Sequence, residues 1–550
     1  MGETKKRNGR ISGHRLLTLK IPVWASSRIY LTVIILVAAV SRFLTQPVVP
    51  YSWDAYNYIL AIRHFRPLME MPHFPGYPLQ VMMGKLFTLV VGDPHAALQL
   101  WSLVEGVLAL FLMAEFGRRV LAPMLGWDKS HGEWLGAVGT LLLLFHPMVW
   151  HFSSVALGNI AALWTSLLGV WSILAAKGKR NRYLFTVLLI GLMMGVRLET
   201  AFLIPFLLYR TVRDRKSIPF YLEALLAGVV GIALWMVPVM LLSGDPLLYL
   251  KQGVELFRGV HALDVAESGG RVSLLLRHLA LLLGLSLFSA GFGLLPLALW
   301  PRRCFSAWRS LNAEFRSLFA WWVIPGLLLL MIGHLRSGYL MVLLPVFVYA
   351  VAMLLISVFS TNWGRLSAVS VGMILSLAWF LLPFAGERIL PFSLERMKRH
   401  DRVVQEVRDL LRQQETGDND ALLFYDAELY PWRAAMVDFS YVRCYQVLDL
   451  PGRKLLVEGF QGSEHVIPWG EGERIGDLLA KRYDPGRFHI FGSVDSASVM
   501  SDFPGVSIAG TDHLQGGTIL MLVNRTTRDV KTSKQEEIQK VEDKESALSE

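Results

Sequence analysis

The sequence predicts a polytopic α-helical membrane protein of roughly eleven transmembrane helices, with a C-terminal soluble α/β domain. Three observations carry that prediction. The chain is 53% hydrophobic with only 18% charged residues and a mean hydropathy of +0.43; a soluble domain carries about 25% charge. The apolar residues form blocks from Ile29 to about Phe384, after which the blocks stop. Lys and Arg fall mostly in short loops between the blocks, so the net charge of +10 marks membrane orientation rather than a nucleic-acid surface. No nucleic-acid partner is predicted.

Taken in order, Lys5, Lys6, Arg7, Arg10, Arg15, Lys20 and Arg28 precede the first apolar run. Residues 1–28 read as a cytoplasmic basic tail, and the run as an uncleaved anchor, because "VAAVSRF" is a poor cleavage site. A spanning helix needs about 20 apolar residues. That rule places spans near 29–46, 76–92, 98–118, 134–150, 157–176, 183–209, 219–243, 274–300, 318–333, 338–358 and 366–384, within a bundle of 29–385. The basic loops 210–217 and 301–316 then share the cytoplasmic side with the tail, and everything after Phe384 lies outside. Two charged stretches, 117–133 and 177–182, come out external against the rule. One hydrophobic block is then miscounted or the rule fails there; 183–209 as two half-helices meeting near Arg197 is one such miscount. The external loops 46–75 and 244–273 mix aromatic, apolar and charged residues, which suits helices lying in the interface plane. Cys304 and Cys444 fall on opposite sides, so no disulfide is expected.

Residues 386–528 read as an extracytoplasmic α/β domain. "LERMKRHDRVVQEVRDLLRQQ" is an amphipathic helix. "ALLFYD", "YVRCYQVLDL", "RFHIFGS" and "GTILMLVN" read as strands, with "RIGDLLAKRY" as a helix between two of them. Residues 529–550 are charged, with few apolar side chains, and read as a disordered tail.

The first external loop, "YSWDAYNYILAIRHFRPLMEMPHFPGYPLQ", is rich in residues that carry chemistry. Asp54 stands where the chain leaves the first span, and Asn57 and Tyr58 would share its helix face. Arg63, His64, Arg66 and His73 follow, before a rigid turn through Pro75, Gly76 and Pro78. A carboxylate at the water–lipid boundary can act as general base on a hydroxyl, and the cations beside it can hold a phosphate. The plainer reading is that Asp54 caps a short interfacial helix and the arginines meet lipid head groups. Charge at bilayer depth costs at least ~2.5–3.5 kcal/mol per residue, so Glu105, Arg197, Glu199, His334 and Arg336 call for a reason. Arg197 could meet an anionic head group or pair internally with Glu105 or Glu199; as positions i and i+2, Arg197 and Glu199 would not share a helix face. His334, Arg336 and Tyr339 fall at the external mouth of a span pair, whereas His146 and His151 fall inside. There is no Walker loop, no zinc-spaced His/Cys cluster and no Gly-x-Ser-x-Gly elbow. No cofactor is predicted, a divalent metal stays open, and the energy for any transfer would come from an activated donor.

The string His73, Pro75, Gly76, Tyr77, Pro78 after an acidic residue beyond the first span resembles the multispanning glycosyltransferases that use lipid-linked sugars, including protein O-mannosyltransferases and bacterial aminoarabinose transferases. "GVRLETAFLIP" and "HLRSGYLMVLLP" resemble further segments of that superfamily, and the likeness covers the bundle but not the C-terminal domain. It implies a C-type fold and a polyprenyl-phosphate-linked sugar as donor, with membrane lipids around it and an acceptor not identified. It implies Asp54 as catalytic base. Arg63, Arg66, His73, Tyr77, His334 and Tyr339 would line donor and substrate, and Arg197 and Arg336 would neutralise the lipid phosphate. One departure is that the O-mannosyltransferases carry adjacent acids in this loop, whereas Ala55 follows Asp54. The same charges could instead line a transporter or lipid flippase, though no inverted repeat is visible, or the chain could be a membrane scaffold.

Overall fold

The computed structural model describes residues 28–69, 71–214, 217–267, 270–310, 313–332, 337–382, 391–413, 420–425, 432–438, 442–450, 453–460, 463–468, 487–492, 506–514 and 517–524. The basic tail up to residue 27, the C-terminal tail and the helix expected at 474–483 lie outside them.

The bundle opens with α1 (Arg28–Leu44). α2 (Trp53–Arg63) lies in the first loop. α3 (Pro78–Val91) and α4 (Pro94–Phe116) both begin on proline, whose missing N–H costs nothing in a first turn. α4 runs on through a π-turn at Gly117–Leu121 to Met124. α5 (Lys129–Leu144) bends by 63° into α6 (Pro147–Ser154). Then come α7 (Ala161–Ala175), α8 (Arg180–Met193), α9 (Ile204–Arg213), α10 (Ile218–Leu242) and α11 (Pro246–Glu267). α12 (Arg271–Ala290), α13 (Pro301–Ser310), α14 (Ala313–Ile332), α15 (Leu344–Val358) and α16 (Asn362–Leu381) complete the bundle. Among the described residues five helices are long and apolar enough to cross a membrane, or six with the α5–α6 pair counted as one span, against the roughly eleven expected. α8 and α10 pack through small residues, as membrane helices do where lipid gives no hydrophobic drive. A Cβ at Gly191 would stand 2.7 Å from the Gly228 carbonyl oxygen, so only glycine allows this approach.

The contacts correct the expected topology in three places. First, 76–92 is not a span. α3 has 14 residues and lies beside the first half of α4, with Gln80 against Glu105 and the Gly84 position against Leu98. It therefore climbs back to the end of the bundle where α4 starts, which is the first-loop end, because Gln99 Nε2 donates to Pro47 O at 2.6 Å. Second, the 23 residues of α4 extend about 34 Å, which puts 117–133 at the opposite end. The charged stretch then lies at the same end of the bundle as 177–182 and 210–217, so the three no longer conflict in charge. Third, His151 belongs to the first-loop end. Its ring lies 4.7 Å from that of Tyr51, and His146 Nε2 meets Phe288 O at 2.9 Å. All three errors share one cause, since an apolar run of about 15 residues does not show whether it crosses the membrane or turns back.

The block 183–209 is two helices, α8 and α9, as the charge conflict suggested. Their ends remote from Arg197 lie together, with Tyr183 Oη donating to Leu207 O at 3.1 Å. The chain reverses through a 3₁₀ segment, Leu198–Leu203, immediately after Arg197.

Beyond the bundle, α17 (Leu394–Gln413), β1 (Asp420–Tyr425), α18 (Trp432–Asp438), β2 (Arg443–Leu450), β3 (Arg453–Phe460), β4 (Ser463–Pro468), β5 (Arg487–Gly492), β6 (Val506–Leu514) and β7 (Gly517–Asn524) follow. The strands form one sheet in the order β4-β3-β2-β1-β5-β7-β6. β1 lies parallel to both β2 and β5, and the other pairs are antiparallel. A central strand flanked by parallel neighbours reads as an unbroken apolar run, and "ALLFY" does so. The four strands expected from sequence correspond to β1, β2, β5 and β7, whereas β3, β4 and β6 were not read.

Candidate functional site

Asp54 sits in the first turn of α2, but it does not cap the helix. The cap is Ser52, whose hydroxyl accepts from Ala55 N at 3.4 Å. The Asp54 carboxylate is left to face His73, with Oδ1 3.3 Å from Nδ1. Half of the Asp54 side chain is exposed (50%), so an acceptor can reach it.

His73 arrives on the turn that the Pro75–Gly76–Tyr77–Pro78 sequence builds. Gly76 takes φ +85°, and Tyr77 takes the left-handed conformation at φ 37°, ψ 56° as the residue before α3. A bulky side chain in that region is strained and persists only where the surroundings hold it. Here the Tyr77 ring packs edge-on to His73 at 5.5 Å, beside Tyr58 at 6.2 Å, and under the Arg197 guanidinium at 4.9 Å. α11 supports the turn from outside: Tyr249 Oη donates to Pro75 O at 3.0 Å and Gln252 Nε2 to Leu68 O at 3.0 Å.

Arg197 stands at the apex between α8 and α9, in extended conformation (φ −147°, ψ 122°). It grips Glu199 bidentately through Nε, 3.1 Å from Oε2, and through Nη2 on Oε1. The i, i+2 spacing forbids this pair only in a continuous helix, and the apex is not one. Both side chains are 6% exposed. Tyr58 lies beside Tyr77, and the 3₁₀ turn Ser337–Val342 that carries Tyr339 packs against the Leu198–Leu203 segment after Arg197. The structure thus brings Asp54, Tyr58, His73, Tyr77, Arg197, Glu199 and Tyr339 together.

Other expected residues go elsewhere. Arg63 is nine residues beyond Asp54 on α2, which turns it to the opposite face about 14 Å along the axis, and both it and Arg66 are exposed. His334 and Arg336 lie outside the described residues. Asn57, expected beside Asp54 and Tyr58, is buried and turned toward the C-terminal region.

Two groups were not anticipated as working parts of the site. The Glu105 carboxylate, 0% exposed, accepts from Gln80 Nε2 at 3.3 Å and Trp164 Nε1 at 3.3 Å, while Trp101 Nε1 donates to Gln80 Oε1 at 3.0 Å. The Glu midway along the apolar run of α4 was the available signal. The second group holds the first loop from its outer side. Asp401 on α17 accepts from Val48 N at 3.0 Å and Val49 N at 3.2 Å. His400 Nε2 lies 3.2 Å from Pro50 O, so that nitrogen carries a proton, and burial lowers the imidazole pKa. Arg433 on α18 reaches Asn57 Oδ1 with Nη1 at 2.5 Å and lies over the Trp53 ring at 4.7 Å. Nothing in the local sequence announces these contacts.

Among the described residues no three His, Cys, Asp or Glu side chains are grouped to hold a metal ion. Chemically, the arrangement offers an accessible carboxylate with an imidazole beside it, an aromatic floor and a buried cation whose counter-charge is internal.

No family model matches the chain, and no curated protein is significantly similar to it. Among solved structures, ArnT from Cupriavidus metallidurans bound to undecaprenyl phosphate matches with a TM-score of 0.59 at 12% identity, over 90% of this chain and 98% of that one. The same protein in the apo state matches with a TM-score of 0.55 at 13% identity, over 90% of this chain and 97% of that one. The chain is an integral membrane protein with the fold of ArnT from Cupriavidus metallidurans.

Proposed function

We propose that this protein is a membrane glycosyltransferase that moves a sugar from a polyprenyl-phosphate donor to an acceptor hydroxyl at the first-loop end of the bundle. One observation carries the reading. In a fold shared with a protein solved bound to undecaprenyl phosphate, an accessible carboxylate paired with an imidazole stands beside a strained aromatic turn and a buried arginine. In this reading the N-terminus is cytoplasmic and the α/β domain of 386–528 lies outside with the active site; the basic loops at the opposite end of the bundle support it.

Asp54 takes the proton from the acceptor hydroxyl, and His73 orients the carboxylate. The acceptor oxygen forms its bond to the anomeric carbon as the bond to the phosphate oxygen breaks. The leaving polyprenyl phosphate departs toward Arg197, which exchanges part of its hold on Glu199 for the phosphate. A single base with direct displacement inverts the anomeric centre.

The test is turnover of radiolabelled polyprenyl-phosphate sugars by purified protein with a membrane extract, beside Asp54→Asn. Release or transfer of sugar that vanishes in the variant supports the reading. A folded wild type that turns over no donor sinks it, and full activity in Asp54→Asn removes the base from Asp54.

A further inference from the structure

We infer that Arg433, far from Asp54 in sequence, is a positioning residue: the C-terminal region clamps the segment 48–57 and so holds Asp54 in its working place. The inference rests on the glycosyltransferase reading for what Asp54 does, but not for the clamp itself. The segment is gripped at both ends. At its start, Asp401 takes two successive backbone N–H groups, from Val48 and Val49, and His400 donates to Pro50 O. Tyr51 packs against the His400 ring at 5.0 Å. At its end, Arg433 bonds Asn57 Oδ1 and covers Trp53. Asp54 lies between Trp53 and Asn57 on the same helix.

The two grips are joined. Arg408 of α17 binds Asp438 of α18 bidentately, at 2.9 and 2.8 Å, so the helices bearing Asp401 and Arg433 act as one block. Burial makes the second grip selective. Arg433 is 3% exposed and Asn57 0%, so neither can replace the other with water. A charge-assisted hydrogen bond in such a place fixes direction as well as distance. Arg433→Gln replaces the charged donor by a shorter neutral amide, which weakens the hold on the Asn57 carbonyl and lets α2 turn about its axis, carrying Asp54 off His73. Displacements of about 1 Å at a reacting group cost roughly a hundredfold in rate.

The experiment compares wild type, Arg433→Gln, Arg433→Lys and Asp401→Asn, all full length, in detergent. Backbone hydrogen exchange is followed over 48–58 and over α4 and α7. The clamp predicts faster exchange in 48–58 for Arg433→Gln and Asp401→Asn, with α4 and α7 unchanged, and partial return of protection in Arg433→Lys. Turnover should show kcat lowered roughly a hundredfold with KM for the lipid donor unchanged. Unchanged exchange in 48–58, or full kcat once it loosens, overturns the inference. If Arg433→Gln does not fold, Arg433→Lys and Asp401→Asn decide it alone. If wild type turns over no donor, the function reading fails, and the exchange measurement still decides the clamp.

Discussion

Asp54 and Glu105 are both carboxylates of the same bundle, and their surroundings set them to opposite tasks. Asp54 is half exposed with one imidazole for company. Glu105 is sealed in the bundle, with a glutamine amide and an indole donating to it. An exposed acid that keeps spare acceptor capacity can exchange a proton with a passing hydroxyl. A sealed acid whose oxygens are already engaged holds its neighbours in place instead. Chemistry and scaffolding are thus divided by access, not by residue type.

The comparison is tested hardest at Asp54. Asp54→Asn should lower kcat about a hundred- to ten-thousand-fold and leave the melting temperature in detergent where it was. A stability loss without a rate loss would put Asp54 with Glu105. Glu199→Gln comes next, because it strands Arg197 in a buried site without its counter-charge. About 3–5 kcal/mol of stability should go, measured by thermal or denaturant unfolding, and added polyprenyl phosphate should return part of it if Arg197 holds that group. Glu105→Ala leaves two or more buried donors unmet and should cost about 3 kcal/mol, with the rate of the folded fraction kept within a fewfold. A rate loss that outruns the stability loss would give Glu105 a part in the chemistry. Arg63→Ala should change stability by no more than about 0.5 kcal/mol and leave turnover intact, since Arg63 faces away from Asp54. A marked rise in KM would return it to the donor site.

The sequence was legible where a property is local. The apolar blocks, the short helix after the first span and the turn at Pro75–Gly76–Tyr77 all follow from neighbouring residues, although the cap expected at Asp54 is Ser52. The conflict of charge at 117–133 and 177–182 even exposed a counting error, although the error lay at α3 as well as at the α8–α9 apex. Sequence placed Asp54, His73, Tyr77, Arg197 and Tyr339 as candidates, and the structure brings these together. It set Arg63 beside Asp54 because both lie in one loop, but helix pitch separates them. It judged an Arg197–Glu199 pair unnatural because a helix was assumed where the chain breaks.

By itself, the sequence determined that this is a membrane-embedded helical chain with an appended strand-bearing region, because burial in lipid selects composition residue by residue. Only the tertiary structure decided which apolar runs turn back, which buried acid meets which donors, and what the C-terminal region touches. Arg433 and Asn57 stand 376 positions apart. A hydrogen bond between them depends on the packing of every helix in between, and no local pattern encodes that.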